Sequence, residues 1–249
     1  MKSQAATARR PHLLAPSALA LFAAVLVAAA LAQALSAHAA SPTGYTIDFT
    51  DYRSGPVDAW LRAKGFALER DAADADSIAL KAGARGLEVS ALRPAQALLI
   101  NKSIAPRTFS AIEIEWGVAQ HPHGASYEKK INNEAIMVQV FFGSEKKPSG
   151  SLFAPDSPYF VGLFLCNGDR IGHAYSGRYY QEGGRYVCLA APAPGQTIVS
   201  RFNLRQGVRA SFGPSAAQVV SGYSIEVDTS SSPGDGRSSA FIKRIRFVS

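Results

Sequence analysis

The strongest constraint on the fold is a period of two. Ala111 to Val118 alternates cleanly: Ile112, Ile114, Trp116 and Val118 share one parity, Glu113, Glu115 and Gly117 the other. Successive strand side chains point to opposite faces, so this run predicts a strand with one buried and one wet face. Tyr223-Ser224-Ile225-Glu226-Val227-Asp228 repeats the pattern. The run 135–142 is apolar on both parities, as a central strand covered on both sides would be, and 159–166 is similar. Further strands are expected at 45–49, 77–81, 86–91, 97–104, 185–190, 197–204, 210–212 and 240–248. In the last of these, Lys243 shares the parity of Phe241, Ile245 and Phe247, which predicts a bulge or a snorkelling lysine. Turn-forming clusters separate the runs, among them Pro148-Ser149-Gly150 and Ser232-Pro233-Gly234-Asp235-Gly236. Helix is scarce: only 56–64, with Val57, Trp60 and Leu61 at helical spacing, suggests a turn or two. Many short strands with frequent turns predict one all-β domain, an antiparallel β-sandwich of jelly-roll type spanning 40–249.

The first 39 residues read as a cleaved signal peptide. Lys2, Arg9 and Arg10 precede an uncharged stretch from Leu13 to Leu35, and Ala37-His38-Ala39 offers a small-residue cleavage site. The competing reading is a retained membrane anchor, since a span needs ~20 apolar residues. Pro16 and the alanine-rich composition of the stretch count against that. The remaining chain is therefore expected in a periplasm or secreted, with membrane contact only if the leader stays. Cleavage lowers the formal net charge of +7 by three, and the remaining basic clusters are short and scattered, so nucleic acid is not expected as a partner. Cys166 and Cys188 are the two cysteines of the chain. An even count in an exported protein predicts a disulfide between them.

The run Gly222 to Thr229, a Ser/Gly loop, and then Ser239 to Phe247 resembles the closing strand pair of jelly-roll carbohydrate-binding modules. The segment from Phe109 through Trp116 to Asn133-Glu134 and Phe142-Gly143 resembles exported bacterial β-sandwich proteins of unknown function. The resemblance implies a sandwich fold and glycan recognition.

The segment 167–186 is rich in recognition chemistry. Arg170, His173, Tyr175, Arg178, Tyr179, Tyr180 and Arg185 lie between the cysteines. Tyrosine offers a flat apolar face to a sugar ring, and arginine a planar donor that captures carboxylates. These seven residues form the expected binding surface, with a glycan or envelope component as partner and no cofactor. An enzyme reading is also open. His121, His123 and Glu134, with Tyr127 and an arginine such as Arg178, supply the base and cation of a polysaccharide lyase. The carboxyls of Glu113, Glu115, Glu134, Glu226 and Asp228 are the candidates for a glycoside hydrolase. Alternation puts Glu113 with Glu115, and Glu226 with Asp228, on one face of a strand each, and the preferred reading of these pairs is the solvent faces of outer strands. His121-Pro122-His123 is expected as a polar loop rather than a metal site, and Asp228 and Asp235, the candidate calcium ligands, are expected rather in a turn held by Asx and Ser hydrogen bonds. A third possibility is a structural or assembly subunit of the periplasm with no small ligand.

Overall fold

The computed structural model describes residues 44–249 except 153. The expected leader lies outside the described residues. The chain runs β1 (Tyr45–Asp48), α1 (Val57–Ala63), β2 (Phe66–Arg70), β3 (Ile78–Gly83), β4 (Gly86–Ala91), β5 (Gln96–Asn101) and β6 (Arg107–Thr108). It continues with β7 (Ala111–Gln120), β8 (Glu134–Lys147), β9 (Ser157–Leu165), β10 (Ala174–Tyr175), β11 (Gly184–Ala190) and β12 (Ile198–Asn203). It closes with α2 (Leu204–Phe212), β13 (Val219–Asp228) and β14 (Ser238–Val248).

The strands form two sheets of a sandwich. The six-stranded sheet has the order β12-β7-β14-β4-β3, with β1 on β14, and the eight-stranded sheet the order β10-β11-β9-β8-β13-β5-β2, with β6 on β13. Alternation decides what each strand buries. Ile112, Ile114, Trp116 and Val118 all enter the core between the sheets, as do Tyr223, Ile225 and Val227. Trp116 keeps its indole N–H satisfied by donating to Ser200 Oγ on β12 at 3.0 Å. Leu99 on β5 is fully buried in the same core, and truncating such a side chain costs about 2–5 kcal/mol. The register of β14 on β7 slips between Ile242 and Arg244, so the bulge expected at Lys243 is present. It frees the lysine from the core parity and sets its amine 3.8 Å from Glu115.

Three details differ from the sequence reading. Residues 210–212 belong to α2 and not to a strand. Leu204 and Val208 are buried one turn apart, and the Asn203 side chain caps the helix by accepting from Gln206 N at 2.9 Å. The sheets are also not wholly antiparallel, because β11 runs parallel to β9. A parallel pair cannot be closed by a tight turn and needs a crossover of a dozen or more residues. The long segment after Cys166 is that crossover, and a disulfide joins Cys166 to Cys188 at its base, as expected from their even number. Finally, the acids of β13 do not lie on a solvent face.

Candidate functional site

The outward side of the eight-stranded sheet carries the unusual chemistry. On β13 the core takes Tyr223, Ile225 and Val227, so Ser224, Glu226 and Asp228 point outward. Register places Glu226 opposite Met137 and Phe164, and Ser224 opposite Gln139, Gly162 and Tyr186. Asp228 pairs with Glu134 across a register shift, which brings Glu134 and Glu226 to the same side of neighbouring strands. A second apolar cluster covers part of this side: Tyr127, Met137, Phe160, Phe164, Tyr175 and Tyr186 with the two bridged cysteines. Two glycines make room for it. A Cβ at Gly162 would come within 2.5 Å of Met137 Sδ, and one at Gly184 within 2.6 Å of the Phe160 ring.

Covering this face buries the two glutamates, to 3% exposure for Glu134 and 6% for Glu226. No lysine or arginine pairs with either one among the described residues. Tyr127 Oη donates to Glu134 Oε2 at 2.6 Å. Gln96 Nε2 donates to Glu226 Oε1 at 2.9 Å and Gln139 Nε2 to Glu226 Oε2 at 2.5 Å. Ser224 Oγ in turn donates to Gln139 Oε1 at 2.8 Å, which fixes that amide. Desolvation and the nearby Asp228 carboxyl push Glu226 up to about 8, against the pull of Gln96, Arg70 and Gln139. Desolvation and the charges of Glu226 and Asp228 raise Glu134 well above the usual carboxylate range. Asp228 is itself raised by burial. The result is a pair of coupled carboxyls that hold protons where an ordinary glutamate has none.

The crossover and the segment after β7 build the cover together. The Asp169 carboxylate accepts from Ser126 Oγ at 2.9 Å and from the backbone N–H groups of Tyr127 and Glu128, both at 3.2 Å. This staple sets the Tyr127 ring against Tyr186, with centroids 4.8 Å apart. Beside it, Asn132 Oδ1 and Asn133 Nδ2 are buried with no partner among the described residues. Toward the other edge the cover ends. Phe141, Leu98, Ile100 and Gln96 are partly exposed on the same face, and Ala67 and Glu69 are exposed. Tyr180, half-buried, meets Phe160 edge-on at 5.4 Å and closes this open half.

The residues expected in the 167–186 surface do not act as one group. Tyr175 is buried, accepts from Arg170 N and donates to Glu128 Oε2, each at 2.8 Å. Arg170 pairs with Glu128 at 3.3 Å, and His173 packs edge-on against Tyr175. Arg178 lies over the exposed Tyr179 ring. Arg185 points the other way, over Phe212, and donates to Gln181 O at 2.8 Å. Only Tyr180 borders the open half beside the glutamates. Burial holds the half-buried His121 below its ordinary range. His123 is exposed and accepts from Ser232 Oγ through its backbone carbonyl. Asp228 Oδ1 accepts from Ser230, and Asp235 Oδ1 from Arg237 N. Neither the histidines nor these aspartates join a metal-binding group among the described residues. Glu113 is held low by hydrogen bonds and charge from Arg246 and Arg201, which outweigh desolvation. Glu115 faces Lys243 and Arg244. A crevice of about 490 Å³ beside Tyr159 and Phe212 lies elsewhere, and its charged residues Glu145 and Lys147 pair with each other.

The sequence reading included Glu134 and Glu226 among several acids but missed their burial, and it missed Gln96, Gln139 and Arg70. The available signal was Gln139 inside an otherwise apolar strand, a polar residue that a doubly covered position does not tolerate without a partner.

No protein-family model and no curated protein sequence matches the chain. Among solved structures, the low-affinity xylan-binding module CBM86 of Roseburia intestinalis matches at 10% identity, with 82% of this chain and 94% of that chain covered and a TM-score of 0.33. Endoglucanase 3 of Trichoderma harzianum, from family GH12, matches at 10% identity over 72% of this chain and 96% of that chain, TM-score 0.33. The xyloglucanase domain of NopAA from Sinorhizobium fredii matches at 9% identity over 82% and 97%, TM-score 0.36. Likenesses this loose say nothing of a shared site.

Proposed function

We propose that this protein binds a carbohydrate on the outer face of its eight-stranded sheet, in the open half bounded by Tyr180, Phe141 and the two glutamates. The observation that carries the reading is the buried polar row Ser224, Gln139, Glu226 and Gln96 set among apolar side chains on a face that the core does not use. Folding gains nothing from desolvated carboxyls without cations, so their cost points to a site. Planar amides and carboxyls beside aromatic rings are the groups that hydrogen-bond sugar hydroxyls and stack on sugar rings. The protein works outside the cytoplasm in this reading, where the Cys166–Cys188 bridge persists. Calorimetric titration of residues 40–249 with a panel of soluble polysaccharides tests it. The expected result is binding that Gln139→Ala and Tyr180→Ala each weaken at least tenfold. Binding indifferent to both changes rejects the face.

One observation favours a second reading, hydrolysis of the bound glycan. Glycosidic hydrolysis uses two carboxyl groups, one supplying a proton to the leaving oxygen and one acting as base or nucleophile. Glu226, pushed up to about 8, keeps a proton at neutral pH, and a coupled pair that has lost one proton holds an acid and a base together. New reducing ends that vanish in Glu226→Gln and Glu134→Gln would establish catalysis. Binding without products would leave the protein a binding module.

A further inference from the structure

Arg70 ends the strand β2 at the edge of the open half of the face, and its backbone explains why it is there. On β2, Phe66 and Leu68 turn toward the core while Ala67 and Glu69 are exposed. Strict alternation would send residue 70 inward. Arg70 instead has φ 58 and ψ −133, outside the small left-handed well that non-glycine residues use, and its side chain is exposed. Its neighbour across the ladder is Ala97, one residue from the Gln96 that holds Glu226. Arg70 makes no hydrogen bond or ion pair among the described residues, even with its chain neighbours Glu69 and Asp71. Asp71 is used otherwise: its Oδ2 accepts from Gln96 N at 2.9 Å. The guanidinium nevertheless acts on both sides of the open half, drawing down Glu226 and Tyr180 through space. Tyr180 is itself at φ 55, so two of the three non-glycine residues with positive φ among the described residues border this spot. Strained backbone of this kind clusters at functional sites.

Resting on the glycan reading above, we infer that the carbohydrate is anionic, and that Arg70 is the specificity residue that captures a sugar carboxylate between itself and Tyr180. A guanidinium suits this task because its donors match the two carboxylate oxygens. Burial keeps Glu226 protonated up to about 8, which lessens the repulsion of an anion at neutral pH, and it raises Glu134 and Asp228 in the same direction. Tyr180, which borders this space, is held above the ordinary phenol range by burial and stays neutral. Glu69, exposed on the rim, is the closest acid along β2.

The test compares uronate-bearing polysaccharides with their carboxyl-reduced counterparts, using residues 40–249 and Arg70→Gln, Arg70→Lys and Arg70→Gly. The acid forms are expected to bind about tenfold to a hundredfold tighter, the worth of a charge-assisted hydrogen bond. Arg70→Gln should erase that preference, and Arg70→Lys should keep part of it. Arg70→Gly should lose it while the melting temperature rises by about 2–4 °C, because glycine relieves the strain. Gain of stability with loss of binding separates a specificity role from a structural one. Equal binding of reduced polymers, or a preference unchanged in Arg70→Gln, overturns the inference and leaves the glycan site standing. Binding to no polymer of either kind overturns both.

Discussion

The two outer faces of this sandwich carry the same kind of residue and treat it in opposite ways. On the six-stranded sheet, Glu113 takes hydrogen bonds from Arg201 and Arg246, while Glu115 lies against Lys243 and Arg244. On the eight-stranded sheet, Glu134 and Glu226 meet a phenol and two amides, with Arg70 acting on Glu226 only through space. One face is a wet surface whose charges cancel. The other is partly covered, and burial there raises Glu134 and Glu226. Alternation in sequence is the same in both, so the difference comes from what the chain folds over each face. The crossover demanded by the parallel β9–β11 pair, tied by the disulfide and by Asp169, supplies the cover on the large sheet.

The largest expected effect follows from cutting that tie. Replacing both cysteines by serine removes a bridge between residues 22 apart and should destabilise the domain by about 3 kcal/mol in denaturant unfolding. A change below ~1 kcal/mol would mean the cover does not depend on the bridge. Next is Tyr127→Phe, which leaves a buried Glu134 oxygen without its donor. It should cost about 1–3 kcal/mol, and a neutral result would place that carboxyl in contact with water. The third contrast is in pH. A carboxyl whose folded value is raised binds its proton more tightly when native, so its contribution is complete below about 4.5 and is lost as pH rises through about 8. Melting temperature should therefore fall over that window, and Glu226→Gln should flatten the fall. A wild-type profile flat from 5 to 9 would contradict the raised carboxyls. The smallest effect belongs to the other face: Glu113→Gln should cost no more than about 1 kcal/mol and less in high salt, because exposed ion pairs are screened.

This comparison also marks how far the sequence could be read. Ile112, Ile114 and Trp116 announce their face because a half-buried strand carries its environment in its own alternation. The disulfide was legible from two cysteines in a chain with an export-like start. The bulge at Lys243 was legible because a lysine fell on a core parity. Glu226 looked like Glu113 because the residues that bury it, Tyr127 and Tyr186, are about 100 and 40 positions away along the chain, and burial by distant segments leaves no local pattern. Arg70 was invisible for a different reason: parity predicts direction only while φ stays negative. The parallel pairing of β9 and β11 was missed because strand direction is a property of topology and not of side-chain pattern.

Mapping where a glycan sits decides between the two faces. The protein would be labelled for NMR and titrated with an oligosaccharide from whichever polymer binds, following amide and side-chain signals. The shifts are expected to centre on Gln139, Glu226, Gln96 and Tyr180, with Glu113 and Glu115 unmoved. Shifts confined to the six-stranded face, or to the exposed segment around Ile171 and Tyr179, would contradict the proposed site.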